Sequence, residues 1–544
     1  MTTPTFPPDL SLAQYYLFDR LPAFAEKTAI RFGQRAWSYA EVADRARRAN
    51  AAFRNAGVRR GERVLVILHD VPPFAWAIFG TLARGAVLAM GNPLAGQSSL
   101  EYLVRYTRAT AIVTIPEVAA MLRPLVDAPD SEVQAMFVVP DAATGEDPEA
   151  PVDPAALGGR KVHELSAALR ATEPADPVPV HRDEPAIWLF TSGATGEPKA
   201  NIHTNRDFAY NTEVYAKGVV GYRQDDVTVS VSRLFFGYAT GTNLFFPFAV
   251  GATAGLFSER PTPETLAAAV EAYRPTIVTN VPTMLGKLLE HDDALRVAGK
   301  SGLDWSSVRC SLSAGEALPE PLLRRWQARF TSDVYDGIGS AEMFHIYASN
   351  RPGDIKPGSL GKVVAGYELR ILPEDAEAAG ATPCAPGEIG VLWVKGDSVS
   401  MGYWLDRDRS WETFHGHWCR TGDLFRIDAE GYLYFAGRAD DLLKVGGQWV
   451  APIEVEECLL EHAAVAAAAV IGIETDGLLK TKAFVVVRAG HAGGATPALA
   501  TELQEHVRGK LAKYKYPREI EFLDDLPRND RGKVDKRALR SRGS

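Results

Sequence analysis

Four short apolar runs rich in β-branched residues read as buried strands: RVLVIL (Arg63–Leu68), AIWLF (Ala186–Phe190), VTVSV (Val227–Val231) and TIVT (Thr276–Thr279). Helical periodicity falls between them, at Tyr39–Ala56, Leu100–Thr107, Pro263–Ala272 and Pro319–Phe330. Strands alternating with amphipathic helices predict an α/β fold of stacked sheets and helices. Two stretches rich in Ala, Pro, Asp and Gly, Asp141–Gly159 and Pro373–Gly387, read as surface loops, because strand patterns resume on both sides. A chain of 544 residues exceeds one ordinary hydrophobic core, so two or more domains are expected.

The C-terminal part changes character. A helix at Ile453–His462, strands AAVIGI and AFVVV, a second helix near Thr501–Leu511 and a strand EIEFL make a compact α+β unit. The boundary is placed near Gly437–Asp441, giving a large domain at 1–438 and a small one at 439–544.

The net charge of −9 argues against nucleic acid or an anionic membrane as the main partner. The apolar windows Val71–Met90 and Leu244–Phe257 are broken by prolines, and the former also by Arg84, so no membrane span is expected. The N-terminus shows no basic segment followed by an apolar run. Cys310, Cys384, Cys419 and Cys458 form no CxxC pair, which predicts neither a zinc site nor a disulfide framework and fits a cytoplasmic protein.

The chemistry is carried by a loop that follows AIWLF directly: TSGATGEPK, Thr191–Lys199. Its glycines permit close backbone approach, so successive N–H groups can converge on an anion. Thr191, Ser192 and Thr195 add hydroxyl donors and Lys199 adds a point charge, a set suited to nucleotide phosphates. The loop is not a Walker A sequence, because Lys199 is followed by Ala200, and that disfavours a P-loop kinase. A polar turn is the plain structural alternative for such a loop taken alone. Further along come SAGEALP (Ser313–Pro319), DGIGSAEM (Asp336–Met343), WCRTGDL (Trp418–Leu424), GRADDLLKVGG (Gly437–Gly447) and PRNDRGKVDK (Pro527–Lys536).

In this order, these motifs resemble those of the acyl-adenylate-forming superfamily, which includes acyl-CoA synthetases, luciferases and peptide-synthetase adenylation domains. The resemblance covers the chain from about Trp188 onward. It implies ATP, Mg²⁺ and coenzyme A as cofactors or co-substrates, with AMP and pyrophosphate formed. By resemblance Thr191, Ser192, Gly193, Thr195 and Lys199 hold the pyrophosphate, and Gly315, Glu316, Asp336, Gly337, Ile338 and Gly339 border the adenine. Glu342 would ligate Mg²⁺, Asp423 and Arg438 would reach the ribose, and Lys533 would bridge the acid and the α-phosphate. Asp440 would be the hinge of a mobile small domain, which brings Lys444, Gly446 and Gly447 to the CoA thiol. Taken singly, Asp423 and Arg438 read as a surface ion pair and Lys533 as part of a basic tail. One departure stands out: Ala341 occupies a position where many members carry Thr, with Ser340 beside it as a stand-in hydroxyl.

Ser232–Asn243 and Asp336–Asn350 resemble the benzoate and 2-aminobenzoate CoA ligase branch. That implies a flat apolar slot for one aromatic ring, lined by Phe236, Gly237, Tyr238, Gly337, Ile338 and His345. Gly237 stands where the branch commonly has Ala, which widens the slot toward an ortho substituent. The implied partners are an aromatic carboxylic acid, ATP and CoA, in a chain compatible with a homodimer. A downstream acyl-carrier protein or acyltransferase is a further partner, and a carrier-loading adenylating enzyme or a non-catalytic nucleotide- or acyl-binding module are the competing readings.

Overall fold

The computed structural model describes residues 4–543 except 154–157, 160, 193–196, 317, 439–442, 446–447, 476–477, 489, 492 and 529–533. Two large sheets organise the N-terminal part. The first has seven strands in the order Val162–Glu164, Ala135–Val138, Ala109–Thr114, Arg63–Ile67, Val87–Met90, Pro185–Ser192 and Pro198–Thr204. All its pairs are parallel except the last, where Pro185–Ser192 and Pro198–Thr204 run antiparallel, with Thr191 opposite Lys199. The described ends of the motif Thr191–Lys199 therefore lie on two paired strands at the sheet edge.

The second sheet has nine strands, ordered Lys362–Val363, Ile346–Ser349, Asp333–Gly339, Cys310–Ser313, Ile277–Asn280, Val227–Ser230, Thr253–Leu256, Thr28–Phe32 and Arg35–Ser38. Its centre is parallel, and Asp333–Gly339 begins the antiparallel edge that carries Ile346–Ser349. Helices cover both sheets for reasons visible in sequence. The helix Tyr39–Asn55 starts at a capping box, with the Ser38 amide donating to Glu41 (2.7 Å) and the Glu41 amide to the Ser38 hydroxyl (3.2 Å). It buries Tyr39, Val42, Ala43, Ala46 and Ala49, one stripe at helical spacing. Its neighbour Pro72–Ala83 is buried at every position, which explains the apolar window at Val71–Met90 as a core helix and strand. Among the described residues no helix is long and apolar enough to cross a membrane.

A third sheet is antiparallel, pairing Glu368–Leu372, Gly390–Lys395, Trp418–Ile427 and Phe414–His415, with Leu433–Arg438 along Trp418–Ile427. The C-terminal part has its own core, in which Val455, Leu459, Val470, Val485, Leu503 and Val507 pack together. There the helices Pro452–Leu460 and Pro497–Lys510 pack against strands Val465–Thr475, Leu478–Val487 and Glu519–Phe522. The architecture is thus α/β, with a large N-terminal domain and a smaller α+β C-terminal one.

Candidate active-site cleft

One cleft of about 1330 Å³ collects almost every described residue singled out above. Thr191 and Lys199 enter it from the two strands of the sheet-edge hairpin. The Lys199 ammonium is not free in this arrangement: Nζ lies 2.8 Å from Asp406 Oδ2, and the lysine's hydrogen bond holds that carboxyl below its usual range.

Across the cleft, the strand Asp333–Gly339 ends in a single tight turn, Ala341–Met343, that presents Glu342. Several contacts fix this turn, among them the Ser400 amide on the Glu342 carbonyl and the Ser398 hydroxyl on the Met343 carbonyl, both at 2.8 Å. Tyr403 donates its hydroxyl to Glu342 Oε1 at 2.9 Å. His203 sits between Asp207 Oδ2 (Nδ1, 2.9 Å) and the carbonyl of Ala341 (Nε2, 2.6 Å). Burial and the neighbouring Glu342 charge push the Tyr403 phenol far up, so it stays a donor. Ser340, which lines the cleft beside Glu342, has a buried hydroxyl with no partner among the described residues. A hydroxyl is therefore present next to the Thr-to-Ala departure. Among the described residues no three Asp, Glu, His or Cys side chains cluster as a metal cage. One carboxylate facing an open cleft fits Mg²⁺, which keeps few protein ligands and takes phosphate oxygens and water for the rest.

The next wall is formed by Gly315, Glu316, Asp336, Gly337, Ile338 and Gly339. Glu316 does not point loosely into the cleft. Its Oε2 accepts from the Thr283 hydroxyl (2.7 Å) and amide (3.2 Å), and its Oε1 lies 3.7 Å from Arg528 of the C-terminal part. Asp336 is buried, and burial pushes its carboxyl up to about 8 against a 2.7 Å hydrogen bond from Ser313 and two backbone amides. In the unfolded chain the same group ionises near 3.8, so the folded state holds the extra proton and stability falls as pH rises between those values. Wild type should thus lose stability relative to Asp336→Asn, by up to about 1.4 kcal/mol per pH unit between about pH 5 and pH 8, as read from thermal melts. A melting difference that does not change with pH would show an ordinary carboxyl. Asp423 and Arg438 face each other across the third sheet, 3.9 Å apart, and both line the cleft.

Part of the lining is aromatic. Phe236, Gly237, Tyr238, Gly337, Ile338 and His345 all line the cleft. His345 is buried, and burial pushes its imidazole down to about 3, so it is neutral at ordinary pH. Nε2 faces the Tyr238 carbonyl at 3.0 Å and must carry the proton. Nδ1 is then a bare acceptor, with no partner among the described residues. A side chain on Gly241 would meet the His345 ring at 2.7 Å, so glycine there is what lets the ring sit so deep.

Gly193, Thr195, Asp440, Gly446, Gly447 and Lys533 lie outside the described residues. Only the backbone of Ser192 and Lys444 is described, the latter on a short strand Leu443–Val445 paired with Gln448–Val450. Sequence reasoning misses Asp406, Tyr403, His203 and Thr283. Each acts on a partner far along the chain, so no local spacing could announce them.

Comparison with known proteins shows the family. The sequence model described as AMP-binding enzyme matches residues 17–404, and that of the AMP-binding enzyme C-terminal domain matches 454–533. The benzoate–CoA ligase of Thauera aromatica is 40% identical over 510 residues, 93% of this chain and 90% of the relative. The crystal structure of an anthranilate CoA ligase in complex with anthranoyl-AMP aligns with a TM-score of 0.89 at 32% identity, covering 100% of this chain and 99% of that one. A benzoate CoA ligase from Burkholderia xenovorans gives 0.85 at 34% identity, covering 97% and 99%. The chain belongs to the AMP-binding enzyme family.

Proposed function

We propose that this protein is an ATP-dependent aryl–CoA ligase that activates an aromatic carboxylic acid as its acyl-AMP and passes the acyl group to CoA. The observation that carries the reading is a single cleft joining the Thr191/Lys199 hairpin, Glu342 and the Asp423/Arg438 pair to an aromatic slot ending at neutral His345. The similarity to benzoate and anthranilate CoA ligases supports the same substrate class.

A carboxylate is a poor electrophile because its leaving group would be oxide. In the first step one carboxylate oxygen bonds to the α-phosphorus of ATP, the bond to the β-phosphate breaks, and pyrophosphate leaves. The acid is already ionised, so this step needs charge neutralisation and alignment rather than a base. Thr191, Ser192, Gly193, Thr195 and Lys199 hold the departing pyrophosphate. Gly315, Glu316, Asp336, Gly337, Ile338 and Gly339 shape the adenine wall, Asp423 and Arg438 take the ribose, and Lys533 spans the acid and the α-phosphate. Glu342 holds Mg²⁺, which when bound neutralises phosphate charge. In the second step the CoA sulfur bonds to the acyl carbon and AMP leaves with its phosphate oxygen. Free thiols of this kind have a pKa of about 8.5, so a thiolate fraction exists without a dedicated base.

The domain boundary is placed after Arg438, with Asp440 as hinge and Lys444, Gly446 and Gly447 on the face that meets CoA. The separate C-terminal core supports it.

The ring slot favours benzoate and 2-aminobenzoate. A methyl on Gly237 would lie 3.0 and 3.3 Å from the two Leu189 methyls, and Leu189 also lines the cleft. Gly237→Ala should therefore push Leu189 into the slot and lower kcat/KM for 2-aminobenzoate about tenfold more than for benzoate, a loss of the size one methyl group commands. An unchanged ratio would take Gly237 out of the slot. The function itself is tested by pyrophosphate release over a panel of aryl and short alkyl acids, with free CoA or an acyl-carrier protein as acceptor. Turnover confined to aryl acids and dependent on free CoA is expected, and turnover only with the carrier or only with alkyl acids would overturn the reading.

A further inference from the structure

The lysine of the phosphate loop is already occupied, and the group that occupies it is built into the fold. Residues Met401–Trp404 run along the strand Pro198–Thr204. The Met401 amide donates to the Ile202 carbonyl (2.9 Å), Ile202 donates to Gly402 (3.0 Å), and Trp404 donates to Ala200 (2.9 Å). Trp404 is tied down further: its indole donates to the Tyr106 carbonyl (3.1 Å), and the Tyr106 hydroxyl returns a bond to the Trp404 carbonyl (2.7 Å). The chain then turns sharply at Leu405, a non-glycine residue in the left-handed region (φ 54°) with its side chain exposed. That turn sets Asp406 as the N-cap of the helix Arg407–Thr413, with Oδ1 accepting from the Arg409 amide at 3.3 Å. Its other oxygen, Oδ2, meets Lys199 at 2.8 Å. Arg409 lines the cleft one helical turn away and adds a second cation beside the same carboxylate.

We propose that Asp406 is a resident counter-ion for Lys199, which incoming polyphosphate displaces and which takes the lysine back as pyrophosphate leaves. The inference rests on reading the Thr191/Lys199 side of the cleft as the polyphosphate site. With no polyphosphate bound, Asp406 neutralises a largely buried ammonium. When pyrophosphate is bound, the fixed negative charge of Asp406 stands beside a product that is itself strongly negative. Asp406 thus weakens the grip on pyrophosphate and speeds its departure. Asp406 touches no reacting atom; it is a positioning residue for Lys199.

Asn and Ser cap helices about as well as Asp, so Asp406→Asn and Asp406→Ser remove the charge and keep the start of the helix. The measurement is titration calorimetry of magnesium pyrophosphate against the full-length wild type and both variants, with thermal melts to confirm folding. Either folded variant should bind pyrophosphate about fivefold more tightly, the upper range for one partly exposed ion pair. Structural damage would weaken binding, so a gain in affinity separates the two explanations. Equal or weaker binding by a folded variant, with wild type binding normally, would overturn the counter-ion role. No binding by wild type would instead remove the polyphosphate reading of the cleft on which the inference stands.

Discussion

Lys533→Ala will lose acyl-AMP formation by a factor on the order of 10² to 10³, the loss seen when one fixed charge partner of a transition state is removed. Thioester formation from supplied acyl-AMP will remain close to wild type. In the first half-reaction two anions, the carboxylate and the triphosphate, are forced together, and a cation between them offsets the repulsion as the new bond forms. In the second half-reaction no such pair meets, so the lysine has nothing to neutralise. Of the described residues that flank its segment, Arg528 and Val534 pair as a short bridge, and Arg528 lines the cleft, 3.7 Å from Glu316. Equal loss of both half-reactions would end the assignment.

Glu342→Gln will cost at least about a hundredfold in acyl-AMP formation at ordinary Mg²⁺ concentration, and part of the loss will return when Mg²⁺ is raised. The substitution is conservative where it matters for folding. Gln keeps the oxygen that accepts from Tyr403 at 2.9 Å, and the backbone of the turn stays held by the His203–Ala341 bond at 2.6 Å. What it removes is the negative charge a hard cation needs. An activity loss with unchanged Mg²⁺ dependence would mean that Glu342 shapes the turn rather than holding the ion.

Much of this site is legible in the amino-acid sequence, for a physical reason. The elements that build it carry strong local signals: an apolar run into a glycine- and hydroxyl-rich hairpin, and a glycine-rich strand end before Glu342. The strands AIWLF and TIVT and the helices near Tyr39 and Pro263 lie where periodicity places them, within a residue or two at their ends. The slot residues come together through contacts distant in sequence, such as His345 Nε2 on the Tyr238 carbonyl at 3.0 Å, which family resemblance implies and periodicity cannot. The rest is hidden because it depends on long-range pairing. Asp406 reaches Lys199, Tyr403 reaches Glu342, and Thr283 and Arg528 share Glu316, all through side chains distant in sequence. Glu316 is the instructive case: its motif gives no sign of Thr283 or Arg528, which engage its two oxygens.

Acid-dependent formation of AMP is the signature of this chemistry, and product analysis reads it out. The protein is incubated with MgATP and benzoate, with and without CoA, and the nucleotides and acyl products are separated by mass. The predicted result is benzoyl-AMP and pyrophosphate without CoA, and benzoyl-CoA with AMP when CoA is present. ADP as the nucleotide product, or AMP release that does not depend on the acid, would contradict it.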